Sequence, residues 1–137
     1  MNPPPSVPAP LTLPTLLIVD AANVMGSVPD GWWRDRRAAA ERVRDALVPY
    51  ATEGVAGHPG PLAIVLVVEG RARGVEAVDG VRVDEAPGSG DDRIVELAGE
   101  AGAVSRACVV VTADRELRRR VGELGAECVG PRTVYGG

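Results

Sequence analysis

Short unbroken apolar runs alternate along the chain with longer stretches whose apolar residues recur at helical spacing. Leu16 to Val19, preceded by Thr15, closes on Asp20. Leu62 to Val68 closes on Glu69, and Ala107 to Val111, continued by Thr112, is followed by Asp114. Runs of this length, rich in Val, Ile and Leu, fit strands buried on both faces of a parallel sheet. They predict strands over 15–20, 62–68 and 107–112, with a last short one at Glu127 to Val129. The weaker alternation from Val75 to Asp84 suits a hairpin or a short edge strand, with Val81 and Val83 facing inward. Between the strands, Ala39, Val43, Ala46/Leu47 and Tyr50 mark a helix over about 32–50 that ends at Pro49 and the Gly-rich stretch 54–60. Ile94, Val95, Leu97, Ala98 and Ala101 mark a second over 91–101; Leu117, Val121 and Leu124 mark a third over 115–124, with Gly125 at its C-cap and Arg118, Arg119 and Arg120 mostly outward. Residues 25–31 read as a loop. Strands alternating with helices predict an α/β fold around a mainly parallel sheet of about five strands with right-handed crossovers.

Composition narrows this picture. At 137 residues, 45% hydrophobic and 25% charged, the chain suits one soluble globular domain over 15–137. Residues 1–14 carry six prolines and read as an extended or disordered tail. The longest apolar run is strand-sized, so no membrane span is expected, and no basic segment followed by an apolar one opens the chain. Cys108 and Cys128 sit in apolar runs and are expected as buried thiols of a cytoplasmic protein. His58, in a Gly/Pro loop without a second histidine, is expected as a solvated side chain. The formal net charge of −4 argues against a non-specific nucleic-acid coat protein. Every Lys/Arg position is Arg, which fits a general coding bias as well as phosphate binding.

The candidate chemistry is acidic. Three strand-like runs end in Asp20, Glu69 and Asp114, and parallel strands put their carboxyl ends on one edge, where open α/β sheets bind ligands. Asp91 and Asp92 open a helix that starts at that edge. Carboxylates gathered in this way are costly unless protonated, paired with Arg or bound to metal. Oxygen ligands suit Mg²⁺ or Mn²⁺, and a two-metal site performs phosphodiester hydrolysis. Each acid also has a plainer role open to it. Asp20 and Asn23 suit an Asx turn, Asp91 or Asp92 an N-cap, Asp114 a cap of the third helix, and Glu69 an ion pair with Arg71.

Ile18-Val19-Asp20-Ala21-Ala22-Asn23-Val24 resembles the opening motif of NYN domains, including YacP-like proteins, within the PIN-like nuclease superfamily. Gly90 to Val95 resembles that group's acidic helix start, and Val110 to Leu117 its Thr/Ser-x-Asp segment. Val68-Glu69-Gly70 resembles a strand ending that is frequently Val-Phe-Asp-Gly, with Glu in place of Asp. The resemblance spans about 15–130. It implies a three-layer α/β/α sandwich with strand order 3-2-1-4-5 and metal-dependent RNA cleavage. Carried over by position, Asp20, Asp91 and Asp114 are the metal-binding and catalytic acids, and Asp92 is an additional ligand. Asn23 holds the site's geometry or contacts the scissile phosphate, and Glu69, one methylene longer, acts through water. Small enzymes of this superfamily often dimerise, so a homodimer is implied.

Basic groups near the same edge are candidate RNA contacts: Arg34, Arg36 and Arg37 after the first strand, Arg71 and Arg73 after the second, and Arg115 after Asp114. Trp32 and Trp33 offer base stacking, with core packing expected for at least one. The leading expectation is a metal-dependent endoribonuclease. A phosphohydrolase of small nucleotides and a non-catalytic RNA- or partner-binding module are the alternatives. A dinucleotide-binding domain is disfavoured, since Ala21, Ala22 and Asn23 stand where a Gly-x-Gly-x-x-Gly turn belongs.

Overall fold

The computed structural model describes residues 13–136. The Pro-rich stretch 1–14 read as a tail lies almost wholly outside them. Five parallel strands form the main sheet: β1 (Thr15–Asp20), β4 (Leu62–Val68), β5 (Val81–Glu85), β6 (Cys108–Val111) and β7 (Glu127–Val129). Their order is β5-β4-β1-β6-β7, which is 3-2-1-4-5 when only these five are counted. Two-residue strands β2 (Gly54–Val55) and β3 (His58–Pro59) pair separately as a small antiparallel ribbon.

The alternation of side chains along β1 divides the core in two. Leu17 and Val19 point to one face, joined by Ile64, Leu66 and Val68 of β4 and Val109 and Val111 of β6. Two helices bury their apolar stripes there: α1 (Ala21–Gly26) with Val24 and Met25, and α2 (Arg36–Leu47) with Ala39, Ala40, Val43 and Leu47. Leu16 and Ile18 point to the other face, with Val65, Val67 and Val110. That face is covered by α4 (Gly90–Ala103), through Ile94, Leu97, Ala98 and Ala101, and by α5 (Arg115–Gly122), through Leu117 and Val121. The result is the expected three-layer arrangement.

Several elements depart from the sequence reading. The stretch read as one helix over 32–50 is three pieces: a 3-10 turn at Trp32–Arg34, α2, and α3 (Tyr50–Glu53). Asp35 adopts an extended conformation between the first two, and its carboxylate accepts the Ala38 amide at 3.0 Å as the cap of α2. Met25 and Gly26, read as the start of the 25–31 loop, instead end α1. The stretch from Val75 resolves into a single parallel edge strand, β5, preceded by a Val78–Val81 bridge; Val81 is buried and Val83 half-buried. Leu124 is exposed rather than inward, because α5 stops at Gly122 and the chain reverses through Gly125 at φ +90°. Cys108 is buried and Cys128 half-buried, both as free thiols, and burial pushes the Cys108 thiol up to about 11. His58 is not simply solvated: its Nε2 lies 2.9 Å from a Glu127 carboxylate oxygen.

Candidate active site

The strand order fixes where a site can form. After β1 the chain crosses over one face through α1–α3, and after β6 it crosses over the other through α5. The ends of β1 and β6 therefore border the crevice where the connections diverge. Asp20 and Asp114 lie on its two sides.

Parallel pairing sets Val19 of β1 beside Val111 of β6, so the next residues along, Asp20 and Thr112, are neighbours. The Thr112 hydroxyl donates to Asp20 Oδ2 at 3.0 Å and accepts the Asp114 amide at 3.2 Å. Asp20 Oδ1 accepts the Asn23 amide at 3.4 Å and so caps α1. The Asn23 side chain reaches the other way, its Oδ1 accepting the Ala113 amide at 2.8 Å. Asn23 and Thr112 thus stitch the two strand ends together from opposite sides.

Asp20 and Thr112 are the buried polar residues of the core, with Asp20 only 5% exposed. Burial pushes the Asp20 carboxyl up to about 6, against the lowering effect of its Thr112 and Asn23 hydrogen bonds; the nearby charges of Asp91 and Glu69 add to the rise. Asp91, in the first turn of α4, is also held above the ordinary carboxylate range. Burial is the main cause, followed by the charges of Asp114 and Glu69, with Arg120 opposing and Asp92 contributing last. Asp20, Glu69, Asp91 and Asp114 therefore sense one another across one rim of the sheet.

The plainer roles divide among these acids. Asp114 caps α5, its Oδ1 accepting the Leu117 amide at 2.8 Å. Neither Asp91 nor Asp92 caps α4; Ser89 does, through the Asp92 amide at 3.2 Å. Glu69 does not pair with Arg71. Its Oε2 accepts the Gly90 amide at 2.7 Å, tying the end of β4 to the start of α4. Asp92 turns to Arg120, 3.0 Å away on α5. Arg120 and Arg118 are accordingly not free on a solvated face, since Arg118 donates to the Thr112 carbonyl at 2.8 Å. Arg119 keeps the outward position expected of it, with Glu116 and Glu123 as ion-pair partners.

The donor set is all oxygen, which suits a hard divalent cation. Among the described residues, no three acidic, histidine or cysteine side chains stand together as a direct metal cage. The rim gathers carboxylate charge without closing around a bare ion.

The basic candidates are spread around this rim. Arg36 stacks over the Trp32 ring at 5.3 Å, and Arg34 lies over Trp33 at 5.8 Å. Trp32 packs against the core, whereas Trp33 is 55% exposed. Arg37 lies against Gly74, while Arg71 and Arg115 are exposed. Arg73 is fixed by the Ala86 and Pro87 carbonyls, at 2.6 and 3.1 Å. Beside the acids, a cavity of about 460 Å³ is bordered by Arg36, Arg73, Ala22, Met25, Glu69 and Ser89. Sequence reasoning assigned no part to Ser89 or to the cavity, and none to Thr112 beyond its place in a motif. The local signal for Thr112 was a polar residue closing a buried apolar run; its partner is 92 positions away in the chain.

No protein-family model matches the sequence, and no curated protein matches it by sequence. Solved structures do match. The crystal structure of Rae1 (YacP) from Bacillus subtilis superposes with a TM-score of 0.68 at 20% identity, covering 86% of this chain and 70% of that one. The chain has the YacP fold. A W164L mutant of the same protein gives a TM-score of 0.64 at 21% identity over the same coverage. The order of the five parallel strands in this chain is the one expected from the resemblance of its acidic motifs.

Proposed function

We propose that this chain is a metal-dependent endoribonuclease that hydrolyses phosphodiester bonds in RNA at the β1–β6 crevice. The observation that carries the reading is the placement of Asp20: a buried carboxylate at the end of the central strand of a YacP fold, bonded to Thr112 and facing the charges of Asp91 and Glu69. Asp20, Asp91 and Asp114 would hold a hydrated Mg²⁺ or Mn²⁺, contacting it at least in part through its waters. Glu69 acts through water, and Asp92 stands behind them on Arg120. A divalent ion held there would supply an activated water and charge neutralisation at the leaving oxygen.

The chain's own groups do the positioning. Thr112 holds one Asp20 oxygen, leaving the carboxylate a fixed orientation. Asn23 braces the rim by holding the Ala113 amide. Arg34, Arg36, Arg37, Arg71 and Arg115 form no ion pair among the described residues and are available to phosphates along the edge.

Incubation of the protein with single-stranded RNA and Mn²⁺ or Mg²⁺ tests the reading. Cleavage is expected, with Asp20→Asn lowering the rate by more than ~100-fold, the upper end for loss of a residue behind a metal ligand. Equal cleavage by the variant refutes the assignment.

A further inference from the structure

The cavity beside the acidic rim is a site in its own right. Its volume, about 460 Å³, lies within the roughly 300–1,000 Å³ typical of small-molecule sites. Its walls come from different parts of the chain: α1, the start of α2, the turn after β4, and the loop before α4. Three properties define what it accepts. Ala22, Met25 and Ala72 give it an apolar side suited to the face of a planar ring, with Met adaptable in shape. Arg36 and Arg73 give it two guanidinium groups, neither in an ion pair with a carboxylate among the described residues. Both are pre-set, Arg36 by stacking on Trp32 and Arg73 by two carbonyl bonds. Ser89 adds a hydroxyl, and Glu69 is the wall shared with the acidic rim.

An apolar lining that also carries two guanidiniums is the complement of a nucleotide. Arg36 and Arg73 are among the arginines without an ion pair among the described residues, and their meeting on one cavity points to an anionic ligand. We infer that this cavity is a nucleotide subsite: it takes one unstacked nucleoside monophosphate unit, with Arg36 and Arg73 on the phosphate and the Met25 side under the base, and so places the adjoining phosphodiester at the acidic rim. The inference rests on the nuclease reading for the placement of the adjoining bond, and on the cavity alone for binding.

Binding without divalent ion separates the two. Adenosine 5′-monophosphate and a tetra-adenylate RNA are titrated into the full chain and followed by calorimetry and by tryptophan emission, since Trp32 lies under Arg36. Saturable binding is expected. Arg36→Ala and Arg73→Ala should each weaken it by ~10-fold or more, the scale of a lost hydrogen bond to a charged group. Gly88→Leu gives a second line of test, because a Cβ at this cavity-lining glycine meets no atom within 4 Å and the change removes no side-chain bond. It should weaken binding while leaving the melting temperature in place, which keeps the test decisive if Arg73→Ala unfolds. Asp20→Asn removes a rim charge and should bind at least as well as the wild type. Much tighter binding of the RNA assigns the unit to a chain, and equal affinity assigns it to a free nucleotide; both support the subsite. Absence of binding, or equal affinity in Arg36→Ala and Gly88→Leu, overturns it. Binding without cleavage removes the nuclease reading and leaves the subsite. Cleavage whose KM is unchanged by Arg36→Ala removes the subsite and leaves the nuclease.

Discussion

Asp20 follows four buried aliphatic residues and is itself almost as buried as they are. A carboxylate there is costly in an empty site, and the cost has a pH signature. Unfolded, the group titrates near its ordinary value of 3.8; folded, burial moves it up to about 6. Between those values the folded chain keeps a proton that the unfolded chain has released. Stability contributed at this position is therefore present below pH 4 and is lost as pH rises to about 6. The shift corresponds to roughly 3 kcal/mol at most. Urea denaturation of wild type and Asp20→Asn in chelator from pH 4 to 7 should show the difference narrowing in favour of the variant as pH rises. A pH-independent difference would show that Asp20 is not desolvated. The acid was legible in the sequence because it interrupts an apolar run. Its hydroxyl partner was not, since Thr112 meets Asp20 only through the register of β1 on β6.

Helices were harder to delimit than strands, and Asp35 shows why. The apolar spacing from Ala39 to Tyr50 is continuous, so periodicity alone extends one helix across it. The breaks come from local bonding. Gly31 at φ +80° starts the Trp turn, Asp35 leaves helical geometry to cap α2, and Pro49 opens α3. Asp35→Ala should cost about 1 kcal/mol in urea denaturation, the usual value of a lost N-cap. A smaller loss than a few tenths would mean the Ala38 amide finds water instead. The same competition explains α4: two acids in its first turn invited the cap assignment, yet Ser89 supplies the cap and leaves Asp91 facing the rim. Ser89 was legible only as part of a loop.

For the whole molecule, layering was readable because β1, β4 and β6 are apolar on both faces, and parallel sheets bury both faces under helices; the strand order followed only from the resemblance of the acidic motifs. Among the described residues no helix is long and apolar enough to cross a membrane. How tightly the acids converge was not readable, because it depends on side-chain bonds made by Ser89, Arg120 and Glu69 after the fold is assembled. Repulsion among Asp20, Glu69, Asp91 and Asp114 predicts that a divalent cation stabilises the fold. Mn²⁺ at a hundred times its dissociation constant should add ~2.7 kcal/mol. A rise in melting temperature is expected for the wild type and is expected to vanish in Asp91→Asn. A rise of equal size in that variant would place the ion elsewhere.

Glu69 gives this architecture a clasp. Its carboxylate spans from the end of β4 to the first amide of α4, and the fastening depends on reach. Aspartate, one methylene shorter, would fall short of Gly90 from the same backbone. The longer acid thus keeps the end of β4 and the start of α4 buckled at a set width, and with them the mouth of the neighbouring hollow that Glu69 and Ser89 border.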